Sequence, residues 1–184
     1  MSSSSTDAEL MEGLQAREAE ALDILVRRYE DLAFRLAVRM LHQREEARDL
    51  VQDVFLDLWT NPQRWKPQAE FSTWLYRVVT NRALNRIRFQ RIRRTLSFAS
   101  QEVNEEELPP SPENVEDIVV KREQSEIFQR QFANLPPRQK AALHLRYEQD
   151  LPVGEVAKAL GVSFKAAESL IFRGKQTLKK AVKK

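Results

Sequence analysis

The 184-residue chain has no cysteine, two histidines and only four glycines. Without cysteine there is no disulfide, no thiolate metal site and no thiol nucleophile. His42 and His144 alone are too few ligands for a zinc site, and neither metal nor other cofactor is expected. A Gly-rich phosphate loop and a nucleophile–His arrangement are missing too, so the many carboxylates do not compose an enzyme. No run approaches the roughly 18 to 20 apolar residues of a membrane helix, so no membrane insertion is expected. Residues 1–7 lack a basic region followed by an apolar run. A signal peptide is therefore not expected, and the cytoplasm is the default compartment. Strand alternation and internal repeats are absent.

What is present is charge and helical periodicity. At 42% apolar the chain is too hydrophobic for full disorder, and at 31% charged it is unlike a membrane protein. Its net charge of +3 conceals three zones. Residues 1–96 hold 16 basic and 14 acidic residues, residues 97–120 seven acidic and no basic, and residues 121–184 14 basic and six acidic. Arg82, Arg86, Arg88, Arg91, Arg93 and Arg94 crowd one acid-free stretch. Basic clusters on both sides of an acidic segment point to a polyanion such as nucleic acid; solvated helix faces are the plain alternative.

Nearly everything outside 97–117 reads as helix, giving an all-α fold of two small helical domains. From Leu22, apolar residues recur with helical spacing through Leu25, Val26, Tyr29, Leu32, Leu36 and Met40. A second helix carries Leu50, Val51, Val54, Phe55, Leu58 and Trp59, and Asn61-Pro62 ends it. Ser72 or Thr73 is a candidate cap for a third helix from about Trp74. Residues 97–117, acidic and interrupted by Pro109, Pro110 and Pro112, read as a linker. Helix is expected to resume near Val115–Ile118, and Pro136-Pro137 opens a further element. The domains are drawn at 8–96 and 118–184.

The sharpest local pattern lies between Leu151 and Lys175. Val153, Val156, Ala157 and Leu160 make the apolar side of a short helix. Gly161 stands where a left-handed residue would end it, and Ser163 is a candidate cap for the next. Ala166, Ala167, Leu170 and Ile171 continue the apolar side. Short helix, Gly turn and second helix over a small residue is the helix-turn-helix pattern, with an αα-hairpin as the alternative. The second helix and its flank offer Ser163, Lys165, Ala166, Glu168, Ser169, Arg173 and Lys175 to DNA. Glu168 either accepts from a cytosine amino group or turns away to pair with Lys165 or Lys175.

Two stretches of the first domain carry chemistry. Asp49, Asp53 and Asp57 form an i, i+4, i+8 stripe, either a solvated face or a docking face for a basic helix. Phe71-Ser-Thr-Trp74-Leu-Tyr76-Arg77, followed by Asn81 and Arg82, mixes aromatics, hydroxyls, Asn and Arg. Aromatics stack on unpaired bases, Asn reads base edges and Arg holds phosphates, so the composition suits single-stranded DNA as well as a core.

Taken in order, these segments resemble the small extracytoplasmic-function (ECF) group of bacterial sigma-70-family RNA polymerase sigma factors. The resemblance spans almost the whole chain. It implies that Asp49, Leu50, Gln52, Asp53, Leu56 and Trp59 dock on the clamp helices of the largest subunit of core RNA polymerase. It implies −10 recognition and melting by Trp65, Lys66, Phe71, Trp74, Tyr76, Arg77, Asn81, Arg82, Asn85 and Arg88. The loop from Trp65 to Phe71, with Asn81, would hold a flipped base of the non-template strand. Leu135-Pro-Pro-Arg-Gln-Lys140 and the helix-turn-helix resemble the region that reads the −35 element and meets the flap of the second-largest subunit. Duplex and single-stranded promoter DNA, core polymerase and an anti-sigma factor are the implied partners, the last with a place near the membrane. Two stretches depart from the family pattern. Glu168-Ser169-Leu170 stands where many members carry a basic residue and Ser-Arg, and the loop before Phe71 lacks a glycine. A stand-alone helix-turn-helix regulator is the rival; it leaves Asp49–Trp59 and the melting-like segment without a role.

Overall fold

The computed structural model describes residues 5–66, 70–96 and 128–182, and all regular elements among them are helical. Helix α1 (Asp7–Gln15) starts on a reciprocal cap: the Thr6 hydroxyl accepts from the Glu9 amide while the Glu9 carboxylate accepts from the Thr6 amide. Helix α2 (Ala19–Leu41) buries Leu25, Ala33, Leu36, Ala37 and Met40, the apolar spacing seen in the sequence. It ends at His42, which adopts the left-handed conformation at φ 58°. Helix α3 (Arg44–Thr60) buries Leu50, Val51, Val54, Phe55 and Leu58 and stops at Asn61, with Pro62 opening a short 3-10 turn.

Helix α4 (Phe71–Leu96) packs against both α2 and α3. It begins earlier than the caps at Ser72 or Thr73 would allow, because the Trp74 amide already bonds the Glu70 carbonyl. The reason is tertiary. Phe71 is fully buried, so its turn is drawn into the core, and that burial is worth about 2 kcal/mol, more than a cap.

The second bundle comprises α5 (helical at residues 128–133), α6 (Pro137–Leu143), a π-helical turn (His144–Glu148), α7 (Val153–Leu160) and α8 (Phe164–Val182). Pro137 occupies the first turn of α6, where its missing amide costs nothing. Gly161 ends α7 at φ 62°, as its place in the sequence suggested, and Ser163 accepts from the Ala166 amide at 3.2 Å to cap α8. Gly174 serves contact instead: a Cβ there would sit 2.8 Å from Leu143 Cδ1, so its absence lets α8 press on α6. The linker 97–117 and the expected helix start near Val115–Ile118 lie outside the described residues.

The two bundles share one hydrophobic core, with α7 on α4 and α6 on α2. Polar contacts stitch the seam. Thr73 donates to Glu155 at 3.1 Å and Tyr76 to Gln149 at 2.8 Å. Arg39 of α2 reaches Glu148 at 3.2 Å and Gln129 at 2.8 Å, with its guanidinium 5.4 Å from the Phe132 ring centre. The Lys140 ammonium is buried between the Ala133 carbonyl and His42 Nε2. The π turn widens the chain between α6 and α7 and sets Glu148, and Gln149 after it, against the first bundle.

Candidate docking and nucleic-acid surfaces

The first surface is a groove of ≈ 390 Å³ between α2 and α3. Leu22 and Val26 line one side, and Val51, Phe55, Leu56 and Trp59 the other, with Gln52 at the rim. Leu56 is 64% exposed, although it sits on a helix whose other large apolar residues are buried or half-buried. Trp59 is half-buried and fixed from outside, where Arg17 lies over its ring at 5.5 Å and donates to its carbonyl at 2.6 Å.

The docking residues drawn from the sequence divide here. Gln52, Leu56 and Trp59 border the groove. Leu50 does not: it is fully buried, because its helical position turns it onto the core. The acidic stripe is also less open than its spacing suggested. Asp53 pairs with Arg86 and Asp57 with Arg82, each at 2.7 Å, and Asp57 also pairs with Arg64. Of the stripe, Asp49 alone has no ion pair among the described residues. The stripe thus clamps α3 to α4, and Arg82 is committed to it rather than free for phosphate.

The second surface is the outer face of α4. Arg77, Asn81, Asn85 and Arg88 are all exposed, and their i, i+4, i+8, i+11 spacing sets them in one row. Lys66, in the loop before α4, is exposed. The aromatic members of the predicted set go inward. Trp65, Phe71 and Tyr76 are buried. Phe71 stands 4.9 Å from Tyr29, 5.5 Å from Trp74 and 6.5 Å from Trp65, centre to centre. Trp74 is half-buried at the edge of this cluster. Burying three large rings in a small bundle outweighs leaving them out for a ligand. Trp65 and Phe71 thus anchor the start of α4 in the core, and Tyr76 faces the second bundle.

The third surface is α8 with its turn. Ser163, Lys165, Glu168, Arg173 and Lys175 are exposed, and Ala166 and Ser169 are half-buried. Glu168 has no ion pair among the described residues, so neither suggested lysine partner is engaged. Lys175 lies over the Tyr147 ring at 5.4 Å. Phe164 and Phe172 also stand out from this helix, 54% and 63% exposed. Both were missed by the sequence reading: Phe172 falls off the apolar spacing set by Ala167, Leu170 and Ile171, while Phe164, three residues before Ala167, lies on it and is nevertheless exposed at the start of the helix.

At the seam, burial and then the charge of Arg39 lower the Lys140 ammonium to about 8. His42 is exposed as a residue, but its ring edge packs on Lys140. Partial burial, then the charges of Lys140 and Arg39, lower it to about 4, so the neutral ring accepts from the ammonium. Burial raises the Glu148 carboxyl, but His144 and Arg39 outweigh it and leave the group below its ordinary value.

Comparison with known proteins decides what these surfaces belong to. The family model for sigma-70 region 2 matches residues 25–93, and that for sigma-70 region 4 matches residues 125–178. The chain is 30% identical over 185 residues to the ECF RNA polymerase sigma factor SigW of Bacillus subtilis, covering 95% of this chain and 94% of the relative. It belongs to the ECF RNA polymerase sigma factors. The sigma-H factor of Pseudomonas aeruginosa is 27% identical, over 96% of this chain and 93% of its own. Among solved structures, the sigma factor is similar to CnrH in complex with the cytosolic domain of CnrY. The TM-score is 0.68 at 21% identity, with 96% and 97% of the two chains covered. It is also similar to RpoE in complex with the anti-sigma factor NepR from Bartonella quintana, at TM-score 0.68 and 17% identity, with 86% and 94% covered. These two likenesses establish the all-α fold. The sigma factor's relatives are transcription initiation factors rather than enzymes. Among the described residues no helix is long and apolar enough to cross a membrane, and no carboxylate or histidine cluster is arranged to hold a metal.

Proposed function

We propose that this ECF sigma factor binds core RNA polymerase through the α2–α3 groove, reads the −10 element with the outer row of α4 and reads the −35 element with α8. In this reading residues 8–96 form the docking and −10 unit, residues 118–184 the −35 unit, and residues 97–117 an acidic linker suited to a basic channel. The observation that carries it is the exposed row Arg77–Asn81–Asn85–Arg88 on the same molecule as a capped helix-turn-helix.

Each surface suits its assigned partner. The groove offers apolar area around Leu56 together with polar Gln52 and acidic Glu30, chemistry complementary to a helix of mixed apolar and basic character, such as the clamp helices of the largest subunit. The α4 row joins two base-reading amides to two cations, the pairing that suits partly melted DNA. Holding a flipped base offsets an unstacking cost of a few kcal/mol. The second bundle would meet the flap of the second-largest subunit. An anti-sigma factor is the expected inhibitor, acting in the cytoplasm or beside the membrane.

The test is run-off transcription with bacterial core polymerase on a genomic promoter library, with and without the protein. New start sites sharing two upstream motifs are expected. An absence of both new starts and core binding would defeat the proposal in favour of a stand-alone DNA-binding protein.

A further inference from the structure

We infer that Phe164 is a specificity residue that reads a thymine 5-methyl group in the upstream promoter element; this rests on the proposed role of α8. Phe164 is the first residue of the second helix of the helix-turn-helix, directly after the Ser163 cap. In this motif the N-terminal residues of that helix enter the major groove and meet base edges. The residue is 54% exposed, and its ring makes no ring contact among the described residues. The inner side of α8 is filled without it, by Ala167 and Ile171, with Gly174 against Leu143. Folding therefore leaves the ring in water.

A phenyl ring neither donates nor accepts hydrogen bonds. In the major groove the one apolar group a base offers is the thymine methyl, so an apolar side chain there discriminates thymine from every other base. Glu168 supports this placement. It lies one turn on, on the same side of α8, exposed and without an ion pair among the described residues. A carboxylate facing a phosphate is repelled, so the Phe164–Glu168 edge favours base edges over backbone. The phosphates are left to Lys165, beside this edge, and to Arg173 and Lys175, one to two turns further along, all exposed.

The experiment uses the full chain with core polymerase. The upstream element is first selected from random duplexes, and each thymine of both strands is then replaced singly by deoxyuridine, which removes only the methyl. Wild type, Phe164→Ala and Phe164→Leu are compared by competition binding. For wild type, deoxyuridine at one position, or two adjacent ones, should lower affinity about fourfold, the worth of one buried methyl. Phe164→Ala should weaken binding to the thymine duplex by a similar factor and remove the thymine–uracil difference at those positions alone. Phe164→Leu should restore part of that difference. The inference is overturned if wild type is indifferent to deoxyuridine at every position, or if the selected element has no A·T pair. It is overturned equally if Phe164→Ala weakens all duplexes alike with the thymine–uracil ratio intact, since that pattern marks a contact with polymerase. A selection that enriches no upstream element at all defeats the promoter reading itself, and this inference with it.

Discussion

Tyr76 on α4 donates its hydroxyl to Gln149 of the second bundle at 2.8 Å, beside the Thr73–Glu155 bond. Burial, against a weaker opposing effect of Arg35, pushes the Tyr76 phenol up to about 12, so it stays a donor at any physiological pH. The helix proposed to face the −10 element is thus tied on its inner side to the bundle proposed to face the −35 element.

Arg39→Glu is expected to loosen this seam. It opposes Glu148 with a like charge and removes the guanidinium from Phe132. Glu148 is more than a third exposed, so screening holds the loss to roughly 1–2 kcal/mol. The chain has no cysteine, so dyes on Glu12→Cys and Lys179→Cys report inter-bundle distance cleanly. Energy transfer should fall for Arg39→Glu and return in the swap with Glu148→Arg. Equal transfer in all three proteins would mean that the pair does not hold the bundles together.

Lys140 makes stability depend on alkaline pH in an unusual direction. Its folded value, about 8, lies below its ordinary value of 10.5. Between these two pH values the unfolded chain binds more protons than the folded one, so stability rises with pH. The rise should amount to about 2 kcal/mol between pH 8 and 10, read from urea denaturation. Above pH 10 the raised Tyr29 and Tyr76 act in the opposite sense. Lys140→Met should abolish the rise and gain about 1 kcal/mol at pH 7, because it removes a desolvated cation. A flat profile for wild type would contradict the assignment.

Leu56→Arg tests the groove. At 64% exposure Leu56 contributes little to folding, so thermal stability should hold within about 0.5 kcal/mol. Core polymerase affinity should fall tenfold or more if Leu56 is a central anchor. Unchanged affinity in a pull-down titration would move docking elsewhere.

Gly174→Val is expected to destabilise the second bundle by about 2 kcal/mol, since the added branches collide with Leu143 in a filled core. The measurement is the thermal midpoint, which should drop by roughly 4–8 °C. No drop would imply that α6 and α8 part easily.

The sequence determined the helices, the stop at Asn61-Pro62, the Gly161 turn and the Ser163 cap, because these follow from local chemistry: missing amides, left-handed backbone and side-chain acceptors near free N–H groups. It also grouped the candidate contact residues, since residue types at helical spacing show which ones share a face. It did not determine depth. Phe71, Tyr76, Trp65 and Leu50 read as contact residues, and only the tertiary packing, for Tyr76 including the second bundle, shows them buried. Nor did the sequence show that Asp53 and Asp57 would be neutralised by Arg86 and Arg82, residues 25 to 33 positions away. The seam belongs wholly to tertiary structure. His42 and Lys140 stand 98 positions apart, and Arg39 and Glu148 109. No local periodicity relates groups at such separations; the fold brings them together because the apolar faces of both bundles are covered at once.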